Sequence, residues 1–230
     1  MRVVIVDYGM GNLGSVRQAL NAVGCQAHVT ADPEGVLKAG AIVLPGVGAF
    51  GRCMKNLEEL GLKEAILEKL ETGTPYLGIC LGYQILFEES EESPEVAGLG
   101  LLKGKVVRFS VRPESGYKVP HMGWNTISIK RPTPLLDGIE DGSYFYFVHS
   151  FYPVPEDEGV IATTTEYGIN FASSISYENI FACQFHPEKS QKVGLRLLSN
   201  FVGLLGGTNS EMALRAISEA PPPSGNLGGG

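Results

Sequence analysis

A chain of 230 residues, 43% hydrophobic and 19% charged, is long enough to bury a full core as one domain without disulfide or metal staples. Its net charge of -7, with basic residues scattered singly, excludes a surface built to neutralise nucleic-acid phosphates. Cys25, Cys53, Cys80 and Cys183 form no CxxC pair, which argues against a zinc knuckle and leaves Cys25 and Cys183 as small buried hydrophobes.

The chain opens on RVVIV (2–6), a β-branched run that predicts a strand. Asp7 interrupts it too early for a secretory leader, and no later run approaches the ~18 apolar residues of a membrane span. The expectation is a soluble cytoplasmic protein. Gly9, Gly11 and Gly14 follow in GxGxxG spacing, 15–23 shows helical periodicity, and 26–30 reads as a second strand. Asp32 then stands about twenty residues on, where a dinucleotide fold has its ribose acid. Asp7 would repel a pyrophosphate, however, so the competing reading is a glycine-rich turn at which another surface docks. A third strand (41–45) runs into LPGVGAFG (44–51). Residues 53–71 have helical spacing broken at Gly61, and 75–79 return to strand. Strands alternating with helices predict a parallel sheet with helices on both faces and ligands at the strands' carboxyl ends.

At that kind of end lies Cys80, in YLGICLGYQ (76–84). The pattern small-x-nucleophile-x-small is that of a nucleophile elbow: the strand delivers Cys80 to a tight turn, Gly78 and Gly82 leave room where a Cβ would collide, and a helix beginning near Leu81 aims its N-terminus at the sulfur. A nucleophile needs a base. In CQFHPEKS, His186 ends a strand and Glu188 follows two residues later, placed to accept the ring N–H and fix its tautomer. The competing reading is a core cysteine and a surface His-Pro turn. The Gly46, Val47, Gly48 turn and the Leu81 N–H would supply donors for a developing oxyanion.

Beyond residue 105 the segments 105–110, 125–130, 143–151, 160–168, 171–179 and 180–188 are strand-like and predict a more antiparallel second half, closed by a helix over 190–205. The fold class expected is α/β: an open, mainly parallel central sheet flanked by helices, with antiparallel strands in the second half. The domain is expected to span 1–206. Residues 207–230, ending in PPPSGNLGGG, read as a largely disordered extension with a short helix possible at 211–219.

GICLGYQ (78–84) together with FHPE (185–188) resembles the class I glutamine amidotransferase family. Within it, DYGMGN (7–12), LPGVGAFG, HMGWN (121–125) and YFVHSF (146–151) are similar to the glutaminase subunits of imidazole glycerol phosphate synthases, enzymes of histidine biosynthesis. The resemblance implies Cys80 as nucleophile, His186 as general acid and base, and Glu188 as its orienter. Val47, Gly48 and Leu81 would form the oxyanion hole, and Gly46, Gln84, Ser150 and Phe151 the substrate site. It implies no metal or organic cofactor. It also implies a heterodimer with a (β/α)8-barrel cyclase subunit docked at Tyr8, Asn12, Trp124, Tyr146 and Lys189, which makes the N-terminal glycines a docking turn. Glutamine turnover would be nearly idle until the partner binds its ligand, with the switch in the PGVG turn. Residue 151 is Phe where the related pattern commonly has Tyr, so a hydroxyl contact is missing there. His121 and His149 have no assigned role and read as structural histidines.

Overall fold

The computed structural model describes residues 2–110 and 116–205. The expected extension at 207–230, with its possible helix, lies outside them. In chain order the elements are β1 (Val3–Val6), α1 (Leu13–Ala22), β2 (His28–Thr30), α2 (Pro33–Leu37), β3 (Ala41–Gly46), α3 (Phe50–Glu59), α4 (Leu62–Glu71), β4 (Tyr76–Cys80) and α5 (Leu81–Gln84). There follow β5 (Phe87–Ser90), β6 (Leu102–Arg108), β7 (His121–Thr126), β8 (Ser128–Ile129), β9 (Tyr144–His149), β10 (Phe151–Pro155), β11 (Ile161–Glu166), β12 (Asn170–Tyr177), β13 (Ile180–Cys183) and α6 (Gln191–Gly203).

The main sheet has eight strands in the order β2-β1-β3-β4-β13-β12-β11-β8. Its first five strands are mutually parallel and the rest antiparallel, as the change of texture along the sequence predicts. Strand β1 is buried throughout because both sheet faces are covered. Val4 and Val6 pack with Val36, Phe50, Leu57 and Ile66, on the side of α2 to α4. Val3 and Ile5 pack with Val16, Leu20, Leu197 and Phe201, on the side of α1 and α6. Each helix presents one stripe to this core: α3 buries Phe50, Cys53, Met54 and Leu57, at the i, i+3, i+4, i+7 spacing of a single face. Gly61, at φ 65°, ends the period between α3 and α4, as expected at a position that favours glycine.

Two predicted strands prove composite. Residues 125–130 divide between β7 and β8, and 143–151 divide at Ser150 into β9, which pairs with β7 in a two-stranded ribbon, and β10, which pairs with β6 in a three-stranded sheet. The helix expected from Leu81 is a single turn, because the chain re-enters strand at Phe87. The dinucleotide reading is also removed. The Gly9 N–H donates to Asp7 Oδ1 at 2.9 Å, so a carboxylate already occupies the turn a phosphate would need. Asp32 caps α2, its side chain accepting from the Glu34 N–H.

Candidate active site

Strands β3, β4 and β13 lie side by side, and their carboxyl ends bring together what the sequence separates by up to 142 residues, from Gly46 to Glu188. Gly46 is the register partner of Cys80, and Ile79 of Cys183, three residues before His186. Cys80 has φ 55°, a left-handed backbone rare for a side-chain-bearing residue and costing roughly 1–3 kcal/mol. The surrounding glycines over-determine it. A Cβ on Gly78 would strike the Gly82 carbonyl, and a Cβ on Gly82 would overlap the Leu44 carbonyl of the neighbouring strand. The elbow therefore matches the expectation, except that a one-turn helix carries little macrodipole to favour a thiolate. Gln184 Nε2 donates to Cys80 Sγ at 3.5 Å, and His186 stands nearby.

His186 Nδ1 donates to Glu188 Oε1 at 2.8 Å, and both side chains are almost fully buried. Among the described residues nothing hydrogen-bonds to His186 Nε2, which remains free for proton transfer with Cys80 close enough to act on the ring. Burial alone would lower the pKa of His186. The negative charge of the Cys80 thiolate, and then Glu188, outweighs it and raises the imidazole to about 10. The arrangement favours a charged imidazolium beside Cys80, oriented by a carboxylate.

The main chain of His186 is held as firmly as its ring. Its N–H donates to the Tyr146 carbonyl at 2.9 Å, the Tyr146 N–H donates to Ser190 Oγ at 3.0 Å, and the Ser190 hydroxyl donates to the His186 carbonyl at 2.7 Å. Ser190 is fully buried and escaped the sequence reading, because a serine at a helix start looks like a cap.

Val47, Gly48, Cys80, Leu81, Gln84, Glu92, Pro120, Val148, His149, Ser150 and Phe151 enclose a cavity of about 290 Å³. Larger hollows beside Arg196 and Lys55 contain neither cysteine nor histidine. Gly46 sits beneath the cavity, where a Cβ would collide with the Tyr8 hydroxyl and Leu81. Gln84 Nε2 donates to the Phe151 carbonyl at 3.0 Å and to Gln184 Oε1 at 3.1 Å, which leaves its Oε1 to accept. Glu92 is the one carboxylate among these lining residues, and its Oε2 also accepts from the Phe50 N–H at 2.7 Å. Within the acidic run FEESEESPE nothing distinguished it.

Of the residues expected to meet a partner, Tyr8 does not qualify. It is fully buried, its hydroxyl wedged under Gly46, and burial raises its pKa far above the ordinary tyrosine value. It supports the PGVG turn from inside. Asn12 is exposed and caps α1 by accepting from the Ser15 N–H. Trp124, 46% exposed, and Tyr146 lie edge to face at 6.1 Å on the outer face of the β7–β9 ribbon, with Lys189 Nζ 5.7 Å from the Tyr146 ring. Met122 and Tyr144, more exposed still, extend the patch. No helix among the described residues is long and apolar enough to cross a membrane.

The family profile described as Glutamine amidotransferase class-I matches residues 4–204. The imidazole glycerol phosphate synthase subunit HisH of Syntrophotalea carbinolica is 54% identical over 202 residues, covering 86% of this chain and 98% of that protein. That of Aquifex aeolicus is also 54% identical, over 87% of this chain and 96% of its own. A crystal structure of a glutamine amidotransferase superposes with a TM-score of 0.68 at 22% identity, covering 90% of this chain and 100% of that one, and so shares the fold.

Proposed function

The chain belongs to the class I glutamine amidotransferases, in the group of imidazole glycerol phosphate synthase HisH subunits, and from that premise we propose a residue-by-residue reading of its chemistry. It hydrolyses the side-chain amide of glutamine and supplies the ammonia to the cyclase subunit of the synthase. The Cys80 thiolate attacks the amide carbonyl carbon. The resulting oxyanion is received by the Leu81 N–H and by a donor of the Val47–Gly48 turn. Among the described residues the N–H groups of Val47 and Gly48 have no intrachain acceptor, which supports that role. His186, protonated at Nε2, gives its proton to the departing ammonia and leaves a thioester on Cys80. The neutral ring then takes a proton from water as the water attacks the thioester, releasing glutamate. Glu188 keeps the ring oriented and balances its charge throughout.

The substrate's own charges fit the cavity. Its ammonium group meets Glu92 and Gln84 Oε1, while Ser150 and Phe151 line the rest above Gly46. The partner, a (β/α)8-barrel cyclase subunit, docks on the outer ribbon face through Trp124, Tyr146 and Lys189. An aromatic-rich exposed patch with a cation above it is the composition of an interface anchor. The switch that couples docking to turnover lies in the PGVG turn, where Gly48, at φ 109°, has the backbone freedom to reorient a peptide.

The observation that carries this reading is a buried His186 paired with Glu188 through one ring nitrogen, its other nitrogen free beside a strained Cys80. Its test is glutamate release from glutamine by the chain alone and by the chain mixed with a cyclase subunit and its nucleotide ligand. Release confined to the mixture and lost in Cys80→Ala is expected. Equal release with and without the cyclase sinks the gating, and release that survives Cys80→Ala sinks the nucleophile.

A further inference from the structure

The cavity wall opposite the elbow contains a histidine that the hydrolysis does not use. His149 is 5% exposed and lines the cavity, and His121, 2% exposed, lies behind it between the rings of Phe147 and Tyr167, at 4.7 and 3.9 Å. Their hydrogen bonds form one line. His149 Nδ1 meets the Phe151 carbonyl at 2.8 Å, His149 Nε2 meets His121 Nδ1 at 3.0 Å, and His121 Nε2 meets Asn125 Nδ2 at 3.2 Å.

The protons in this line can be placed from either end. A carbonyl only accepts, so His149 carries its proton on Nδ1. Its neutral Nε2 then accepts, His121 must donate from Nδ1, and His121 Nε2 is left as an acceptor. From the other end, the Thr126 N–H donates to Asn125 Oδ1 at 2.8 Å, which fixes the amide with Nδ2 outward, donating to the Glu166 carbonyl at 2.9 Å and to His121. The two derivations agree. Burial lowers His121 to about 4 and His149 to about 3, so both rings stay neutral beside the His186 imidazolium.

We propose that Asn125, His121 and His149 form a one-directional chain of hydrogen bonds that holds the Phe151 carbonyl, and through it the Ser150–Phe151 corner of the cavity, in the position that accepts glutamine. The inference rests on the reading of the cavity as the glutamine site and adds His149 as a positioning residue. A neutral imidazole suits the task because it donates at one edge and accepts at the other. Two in series carry a fixed direction across an aromatic layer. The Phe151 carbonyl receives its second donor from Gln84 Nε2, so the corner is clamped from the ribbon and from α5 at once.

The test has one part that does not depend on turnover. In the nitrogen-15-labelled chain, ring shifts should show His149 protonated at Nδ1, and a coupling across the hydrogen bond should link His121 Nδ1 to His149 Nε2. An Nε2-protonated His149, or no coupling, overturns the proposal whatever the enzyme does. In the complex with a cyclase subunit and its ligand, His149→Phe should raise KM for glutamine about tenfold with kcat changed less than about twofold, the size of one lost hydrogen bond. His149→Asn, which keeps a donor near Nδ1, should recover part of that loss. If His149→Phe does not fold, His121→Phe, which keeps a ring between Phe147 and Tyr167, is measured instead with the same expectation. A fall in kcat at unchanged KM overturns the positioning role. Turnover that survives Cys80→Ala overturns the hydrolytic reading while leaving the nitrogen assignments standing.

Discussion

The carboxyl ends of the central sheet strands and the β7–β9 ribbon face the same cavity but are built on opposite terms. At the strand ends the candidate catalytic side chains are fixed by covalent proximity to a buried strand: Cys80 by φ 55° between Gly78 and Gly82, and His186 by the end of β13. The ribbon has only one strand pair of its own, hides Phe145, Phe147, His121 and His149 on one face, and exposes Met122, Trp124 and Tyr144 on the other. The difference teaches a division of labour. Cys80 and His186 sit where the backbone cannot yield, while the ribbon's inner layer depends for its position on side-chain hydrogen bonds.

The hardest strike at this contrast is Cys80→Ala, which should lower glutamine hydrolysis by about 10⁴-fold or more without unfolding the chain, because nucleophile and base act as a unit. Removing the thiolate also removes the chief influence that raises His186, so its ring should titrate well below the wild-type value of about 10 when followed by NMR. The sign follows from that direction. In the wild type the charged ring contributes stability fully below about 6.5, the unfolded value, and loses it as pH rises through about 10. Glu188→Gln should cost about 10²–10⁴-fold in kcat with little change in KM, since the ring loses its tautomer and charge balance rather than its substrate. At the elbow, Gly82→Ala drives a Cβ into the Leu44 carbonyl and should lower thermal stability by about 1–3 kcal/mol or more, measured by calorimetry. On the ribbon, Trp124→Ala should leave the isolated chain's stability within about 0.5 kcal/mol yet weaken cyclase binding by about 2 kcal/mol in titration calorimetry. A large loss of stability there would show that the ribbon is core after all and would erase the contrast.

The strand ends were the more legible of the two in the sequence. Glycines two residues either side of Cys80 have one steric meaning, and apolar runs broken by helical periods order the strands without further information. The ribbon was not legible, for reasons of local chemistry. SYFYFVHSF contains no Gly or Pro at Ser150, and β-formers on both sides conceal the step from one sheet to another. Tyr8 follows a charged residue in a glycine turn and resembles an exposed aromatic, while its burial comes from Gly46 and Leu81, far along the chain. Glu92 and Ser190 are short polar residues in ordinary polar company; only the folding of distant strands makes the first a cavity carboxylate and the second a bridge.

That bridge has a mechanical consequence. Tyr146, Ser190 and His186 close a ring of three direct hydrogen bonds. The ribbon's outer surface and the base of the reaction are thus two ends of one stiff strut, a single residue thick. Ser190→Ala, which cuts the strut while leaving both ends in place, should separate binding at the aromatic patch from any response at the imidazole.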